Sequence, residues 1–390
     1  MIHLVTRLPL SYHRTLCRAL DDSYRGAFMA WFAGRSSEDF PPSSSADDLF
    51  KHNFLSEVGY RKFFRNLMSD SEAVVILGGW SSPMTNRTLL MTTLLRIPVF
   101  IWADHPHPHR RTWMKHRARK LYLKLISSLV SGFLGCGRAT IEHLRSLGLD
   151  GTTLTEFPYW VDVPERWSSP PVAAEQKPLR LIAIGRLVKV KQFEVAIKAV
   201  ALTNARANQR SVELVLVGDG PERSTLESTG KSLGCADAIH FCGWLEAEEL
   251  FRQIELADAL VLTSSFDAYG VVVLEAMARG RPVFASDGVV AALDRDDGSG
   301  AIITHPAGDT ELLAQQIELL ANDRERLLRA ALAARAIAEK WKPQRAASIL
   351  DSVLVKSKRG ATLVRNRRGQ AAESLEPAGI PGEASLATGQ

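Results

Sequence analysis

Cysteine is scarce and scattered. Cys17, Cys136, Cys235 and Cys242 are the four in the chain, and none shows the close spacing of a metal-ligand pair. A disulfide framework is not expected in 390 residues, which points to a reducing cytoplasm. Residues 1–7 lack the basic start and long apolar run of a secretion signal. No apolar stretch approaches the roughly 20 residues that cross a bilayer. The expectation is a cytoplasmic protein, soluble or peripheral on the inner face of the cell membrane. A strong charge excess is missing too. With 48 Lys and Arg against 43 Asp and Glu, the net charge is +5, too little for a dedicated nucleic-acid binder. A phosphate-bearing substrate or an anionic membrane suits it better. Neither half has Gly-x-Gly-x-x-Gly after its first strand, which argues against a nicotinamide dehydrogenase.

What is present is the balance of a globular protein, 46% hydrophobic and 23% charged, long enough for two domains. The first half predicts strands over residues 1–6, 73–77, 97–102, 131–135 and 154–157. Helices are expected near 14–20, 60–68, 110–128 and 138–147. The second half alternates more crisply. Strands fall at 179–184, 212–217, 239–242, 259–263, 282–285 and 301–304, with helices between them and at 310–321. Such alternation predicts α/β domains with parallel sheets covered on both faces. The expected organisation is a domain over 1–161, a proline-rich linker over 162–178 and a second domain over 179–340. A helix over 341–357 would return to the first domain, and a disordered tail would fill 358–390.

Ligands of an open parallel sheet bind beyond the carboxyl ends of its strands. After the strand at 179–184 comes Gly185-Arg186-Leu187-Val188-Lys189-Val190-Lys191. Glycine admits close backbone approach, Arg186 offers a planar fork of donors and Lys191 a point charge. Two cations there suit a diphosphate; a solvated basic loop is the plainer alternative. Gly218-Asp219-Gly220-Pro221-Glu222 is turn-and-cap grammar that needs no ligand. Phe266-Asp267-Ala268-Tyr269-Gly270 leads into a helix over 271–279 that contains Glu275. The free amides at that helix start make an anion site. Glu275 lies in a largely apolar helix, where a carboxylate is costly unless paired or bound to a ligand hydroxyl. The alternative makes Asp267 a helix cap and Glu275 a structural hydrogen-bonding group.

Together these segments resemble the retaining glycosyltransferases of family 4, well over roughly residues 179–320 and loosely before them. The resemblance implies the GT-B fold, two Rossmann-like parallel-sheet domains facing each other across a cleft. It implies that the first domain binds the acceptor and the second a nucleotide sugar, a UDP- or GDP-sugar, with no other cofactor and no metal. Gly185, Arg186 and Lys191 match the family's diphosphate loop, although Gln192 replaces its glycine. Gly218, Gly220 and Pro221 match its Gly-x-Gly-Pro turn, and Gly243, followed by Trp244 and Leu245, its nucleobase loop. Asp267 and Glu275 hold the places of its two glutamates, in a frame of Gly270, Glu275-Ala276-Met277-Ala278, Gly280 and Pro282-Val283. Asp267 is one methylene shorter than the usual residue. Ala268, Tyr269, Gly270 and Val271 would line the donor, and Glu275 would bind the ribose hydroxyls. Asp104 or His105, after the strand at 97–102, would supply the catalytic group of the first domain.

The implied reaction moves a sugar onto a glycan or lipid-linked acceptor with retained configuration. Arg186, Lys191 and the helix amides would stabilise the departing diphosphate. Two other readings stand beside it: another GT-B enzyme such as a phosphorylase or epimerase, and a non-catalytic binding or assembly protein. Asp294-Arg295-Asp296 has a metal-binding pattern but is expected in a polar loop over 294–300. His105, His107 and His109 alternate with prolines and read as a solvated cleft edge rather than a metal site. Residues 110–125 carry seven cations and no acid among apolar residues. That segment is either a peripheral membrane helix or an ordinary surface helix with snorkelling cations.

Overall fold

The computed structural model describes residues 1–35, 50–80, 82–106, 113–149, 153–167, 177–208, 211–356, 361–362 and 364–365. Two parallel sheets form. The first has β1 (Ile2–Thr6), β2 (Phe28–Phe32), β3 (His52–Phe54), β4 (Val74–Gly78), β5 (Val99–Ala103), β6 (Gly132–Gly135) and β7 (Leu154–Glu156), in the order β3-β2-β1-β4-β5-β6-β7. The second has β8 (Leu179–Ile184), β9 (Val212–Val217), β10 (Ile239–Gly243), β11 (Ala259–Leu262), β12 (Val283–Ser286) and β13 (Ile302–His305), in the order β10-β9-β8-β11-β12-β13. Strand order reverses between β1 and β4, and again between β8 and β11. Those reversals open a crevice at the strands' carboxyl ends.

The first domain's helices are α1 (Ser11–Tyr24), α2 (Leu55–Ser69), α3 (Pro83–Leu94), α4 (Trp113–Ser127) and α5 (Arg138–Ser146). The second domain follows with α6 (Phe193–Ala207), α7 (Arg223–Ser232), α8 (Ala247–Leu256), α9 (Val271–Ala278), α10 (Val290–Arg295), α11 (Thr310–Asn322) and α12 (Arg324–Glu339). The last element is α13 (Arg345–Leu354). It packs on α1 of the first domain, where Tyr24 donates a 2.9 Å hydrogen bond to Asp351. The inner strands are buried on both faces, as continuous apolar runs such as Leu-Val-Leu-Val of β9 require.

Three elements of the first domain go beyond the sequence reading. β2 reads Phe-Met-Ala-Trp-Phe, with no β-branched residue, and β3 is three residues long. α3 is rich in threonine, which weakens its helical signal. Its start was nonetheless legible, because Ser82 caps the Thr85 amide at 3.1 Å and Pro83 follows. Of the expected tail, residues 361–362 and 364–365 are helical, and Val364 is buried in the core because it is an apolar side chain within reach of it. The rest of the tail, and residues 168–176 of the expected linker, lie outside the described residues.

The expected polar loop over 294–300 is corrected at its start. Asp294 and Arg295 end α10 and are buried against the first domain. Gly137 precedes helix α5 at the cap position and has no side chain to cap it. Asp294 does so from the other domain, accepting a 3.1 Å bond from the Ala139 amide, while Arg138 donates to the Asp294 carbonyl at 2.9 Å. A Cβ on Gly137 would overlap the Asp294 carboxylate. Arg295 pairs with Glu156 of β7 at 3.2 Å and donates to the Tyr269 hydroxyl at 3.1 Å. Asp294 and Arg295 of the Asp-x-Asp pattern are thus a clasp between domains, while Asp296 is exposed.

Two buried histidines make stability depend on pH. Burial lowers His13 and His305 from 6.5 to about 4, and a His13 hydrogen bond to the Leu8 carbonyl opposes the shift only in part. Both are neutral when folded and gain a proton on unfolding below pH 6.5. Their contribution is whole above that pH and fades toward pH 4, at up to about 1.4 kcal/mol per pH unit for each. The thermal midpoint should fall as pH drops below 6.5, and His13→Gln should flatten that slope. An unchanged slope in the variant would contradict the assignment.

Candidate active site

The second sheet's edge is built from loops that lock together through their backbones. The Gly218 amide donates to the Gly243 carbonyl at 2.7 Å, and the Gly185 amide to Val217 at 3.0 Å. Leu187 donates to Asp219 at 2.9 Å, and Glu222 returns a bond to Leu187 at 3.0 Å. A side chain at Gly218 would overlap the Gly185 carbonyl, and one at Gly220 the Leu187 carbonyl. These two glycines therefore pack beneath the Gly185–Leu187 turn and hold its shape.

A short 3-10 turn (Lys189–Lys191) follows and is pinned to the end of β11. The Ser265 amide donates to Val190 at 2.9 Å, and the Thr263 hydroxyl lies 2.8 Å from the Gln192 carbonyl. Lys191 is thereby brought onto Asp267, and the two form an ion pair, 20% and 16% exposed. Gln192 adopts φ 48°, a left-handed conformation that costs most side chains about 1 kcal/mol or more. That explains a glycine in the resembling family at this position.

Gly270 opens α9 at φ 86°, and a Cβ there would press on Val289 and approach the Asp267 carboxyl at 3.6 Å. Asp267 thus sits between the Lys191 ammonium and the start of α9. No side-chain cap forms at that helix start, so Asp267 does not serve as its cap. One turn on, Glu275 is 7% exposed, and burial raises its pKa against the opposing pull of Arg279. Ser11, at the start of α1, donates to Glu275 across the cleft at 3.4 Å.

The first domain brings two candidates, and the structure separates them. Asp104 accepts from the Tyr159 hydroxyl at 2.5 Å and from the Cys136 thiol at 3.2 Å, which engages one of its oxygens in the wall. His105 faces the other domain, its ring 6.4 Å from that of Phe266, and stacks edge-on with His143 at 5.6 Å. Burial lowers its pKa, a backbone hydrogen bond at Ala139 opposes the shift, and the Arg119 charge adds to it. Its Nδ1 has no hydrogen-bond partner among the described residues. His107, His109 and residues 110–112 lie outside the described residues.

Lys191, Asp267, Gly270 and Gly185 come together, since an added Cβ on Gly185 would lie 3.6 Å from Lys191 Cε. Arg186 is exposed beside them, Ala268 and Val271 are half-buried, and Trp244 is 53% exposed. Leu245 packs toward the core. Tyr269 departs most from expectation. Its side chain is 3% exposed and turns into the domain interface, against Tyr159 at 5.3 Å and Arg295. A phenol has little to gain from solvent when an aromatic face and a guanidinium are both in reach. Ser11 was not anticipated; its place after the first strand was the only available signal.

Residues 166–337 match the family described as glycosyl transferases group 1. This stretch, less than half of the chain, carries the group 1 domain. Curated relatives align with it over part of their length. Alpha-D-kanosaminyltransferase of Streptomyces kanamyceticus is 32% identical over 37% of this chain and 37% of its own. Lipopolysaccharide core biosynthesis glycosyltransferase LpsD of Rhizobium meliloti is 34% identical over 38% of this chain and 41% of its own. The match therefore spans about two fifths of these relatives or less. Among solved structures, HepE of Anabaena in complex with UDP superposes with a TM-score of 0.68 at 16% identity, covering 96% of this chain and 100% of that one. The lipopolysaccharide outer core galactosyltransferase WaaB does so with 0.62 at 15%, covering 95% and 99%. At such identities the likeness establishes the fold, which is GT-B.

Two substitutions test how the group 1 domain holds its loops. Gly218→Ala should lower the thermal midpoint by the equivalent of about 1–3 kcal/mol, since backbone must move to admit the methyl. Gln192→Gly should leave stability unchanged or raise it by about 1 kcal/mol, contrary to the usual effect of introducing glycine. Opposite signs in denaturant titrations would refute this account of the site.

Proposed function

We propose that the chain transfers a glycosyl group from a nucleoside-diphosphate sugar, a UDP- or GDP-sugar, to a glycan or lipid-linked acceptor with retention of configuration. The observation that carries this reading is the convergence of Gly185, Lys191, Asp267 and the start of α9 at the second sheet's ligand edge, with Glu275 one turn deeper and touched by Ser11 from the facing domain. The fold, the group 1 domain and the transferase activities named for its relatives support it.

In this reading the diphosphate lies over Gly185 and the first amides of α9. Arg186 and Lys191 neutralise the charge that grows on it as the glycosidic bond breaks. Asp267 holds the Lys191 ammonium in place before the donor arrives and turns toward the sugar hydroxyls once Lys191 engages phosphate. The Glu275 carboxylate accepts the ribose hydroxyls. Front-side attack, with the leaving phosphate oxygen taking the acceptor's proton, gives retention without a protein nucleophile. His105, neutral at neutral pH, lines the acceptor side of the cleft. The facing domains exclude water that would otherwise hydrolyse the donor.

A thermal-shift screen against UDP- and GDP-sugars should identify the base, and Glu275→Gln should abolish the shift. Without donor, the same variant should be the more stable protein at high pH. Burial raises the wild-type carboxyl's pKa, so its stability falls as pH rises from the unfolded value through the raised one, a loss that an amide does not suffer. Arg186→Ala should lower kcat on the order of 100-fold with an unchanged melting midpoint. A product of inverted configuration, read by NMR of the anomeric proton, would overturn the retaining reading. Full turnover by the Arg186 variant would overturn the diphosphate role.

A further inference from the structure

Helices α2, α3, α4 and α5 cover one face of the first sheet, sharing a core that includes Phe63, Leu89, Leu123 and Leu144. A surface helix normally turns charge and polarity away from such a core. α3 and α4 turn leucines outward. Leu90 and Leu94 of α3 are 62% and 69% exposed, and Leu121 and Leu125 of α4 are 72% and 64% exposed. Each pair is four residues apart and so forms a stripe along its helix. The stripes lie opposite the buried sides, which are Thr85, Thr88 and Leu89 on α3 and Leu123 and Ile126 on α4. The helices are neighbours. The Tyr122 hydroxyl of α4 lies 3.0 Å from the Asn86 side chain of α3 and bonds the Trp80 carbonyl at 2.9 Å. The stripes therefore face outward from neighbouring helices of one layer.

The two helices and the loop between them carry charge of almost one sign. Between residues 82 and 141 the sole acidic residue is Asp104, which lies at the cleft and not on either helix. Lys120 and Lys124 are exposed along the flank of α4 nearer Gly148, and Arg96 is exposed just past the end of α3. A second copy docked face to face would bring these cations against their own kind. A nucleic acid would meet the cations but leave four leucines without an apolar partner. An anionic bilayer meets both needs, the leucines entering the acyl boundary and the ammonium groups staying among lipid phosphates.

We propose that the outer face of α3 and α4 docks on an anionic membrane surface. Both helices begin at loops from the carboxyl ends of β4 and β5, the edge that also carries His105. Docking through them holds the mouth of the cleft close to the lipid. The surface is independent of the transfer reaction, so binding to vesicles succeeds or fails apart from catalysis.

The test sediments the full chain with vesicles of phosphatidylcholine alone or enriched in phosphatidylglycerol. The protein should pellet with the anionic vesicles and stay in solution with the neutral ones. Leu121→Gln combined with Leu125→Gln should reduce the bound fraction about tenfold or more, with the melting midpoint unchanged. Lys120→Glu combined with Lys124→Glu should do the same, and high salt should weaken the wild type. A wild type that stays in solution with anionic vesicles overturns the proposal. So does a leucine variant that binds as well as wild type, which would leave only electrostatic adsorption. A dimer in gel filtration that the leucine variant abolishes would assign the face to a second copy instead.

Discussion

A carboxylate from one domain completes a helix of the other and ties the two together at one corner of the cleft. The first amides of α5 need an acceptor, and Gly137 has no side chain to offer one. Asp294 supplies it, and the contact is so close that any residue larger than glycine at 137 would displace it. Arg295, next in sequence, ties the same corner to Glu156 and Tyr269. Burying these charges is costly unless each finds a partner. The Ala139 amide and Glu156 come from the opposite domain, so these pairings favour the arrangement in which the two ligand edges face one another. With the edges facing, Ser11 meets Glu275 and His105 meets Phe266.

Inside the cleft, charge is held in readiness. Lys191 would be a free cation at a strand end, but Asp267 pairs with it. Glu275 is buried, which raises its pKa, with Ser11 as a polar contact from across the cleft. An anionic ligand with hydroxyl groups can satisfy both sites at once, releasing Lys191 to phosphate and giving Glu275 donors. Backbone packing beneath these groups keeps them in register. Gly218 and Gly220 stiffen the turn at Gly185, and the 3-10 turn is pinned by β11. Loops that carry chemistry are usually the mobile parts of a fold, and these are bonded to one another strand end by strand end.

The outer face of the first domain obeys a different constraint. A leucine stripe exposed to water gains nothing for folding, because the helix already buries its other side. Fixed cations beside the stripe resist contact with a like surface. No helix among the described residues is long and apolar enough to cross a membrane, so any lipid contact by these helices is at the surface.

Much of the second domain was legible in the sequence, because most of its strands are runs of β-branched and aliphatic residues, and β8, β9 and β10 end at Gly185, Gly218 and Gly243. Gly185, Lys191, Asp267, Gly270 and Glu275 could be named because strand ends place ligand groups in parallel sheets, and their spacing is local. The first domain was less legible. β2 is aromatic rather than β-branched, and β3 is too short to show a period. The sequence by itself determined the alternation of strand and helix, hence two parallel sheets and the edge where ligands go. Only the tertiary structure decided that Asp294 caps a helix 155 residues away, that Tyr269 turns inward and that Asp104 is engaged by Tyr159 and Cys136. Those outcomes depend on contacts between segments far apart in the chain, and a local pattern carries no record of which distant group will arrive.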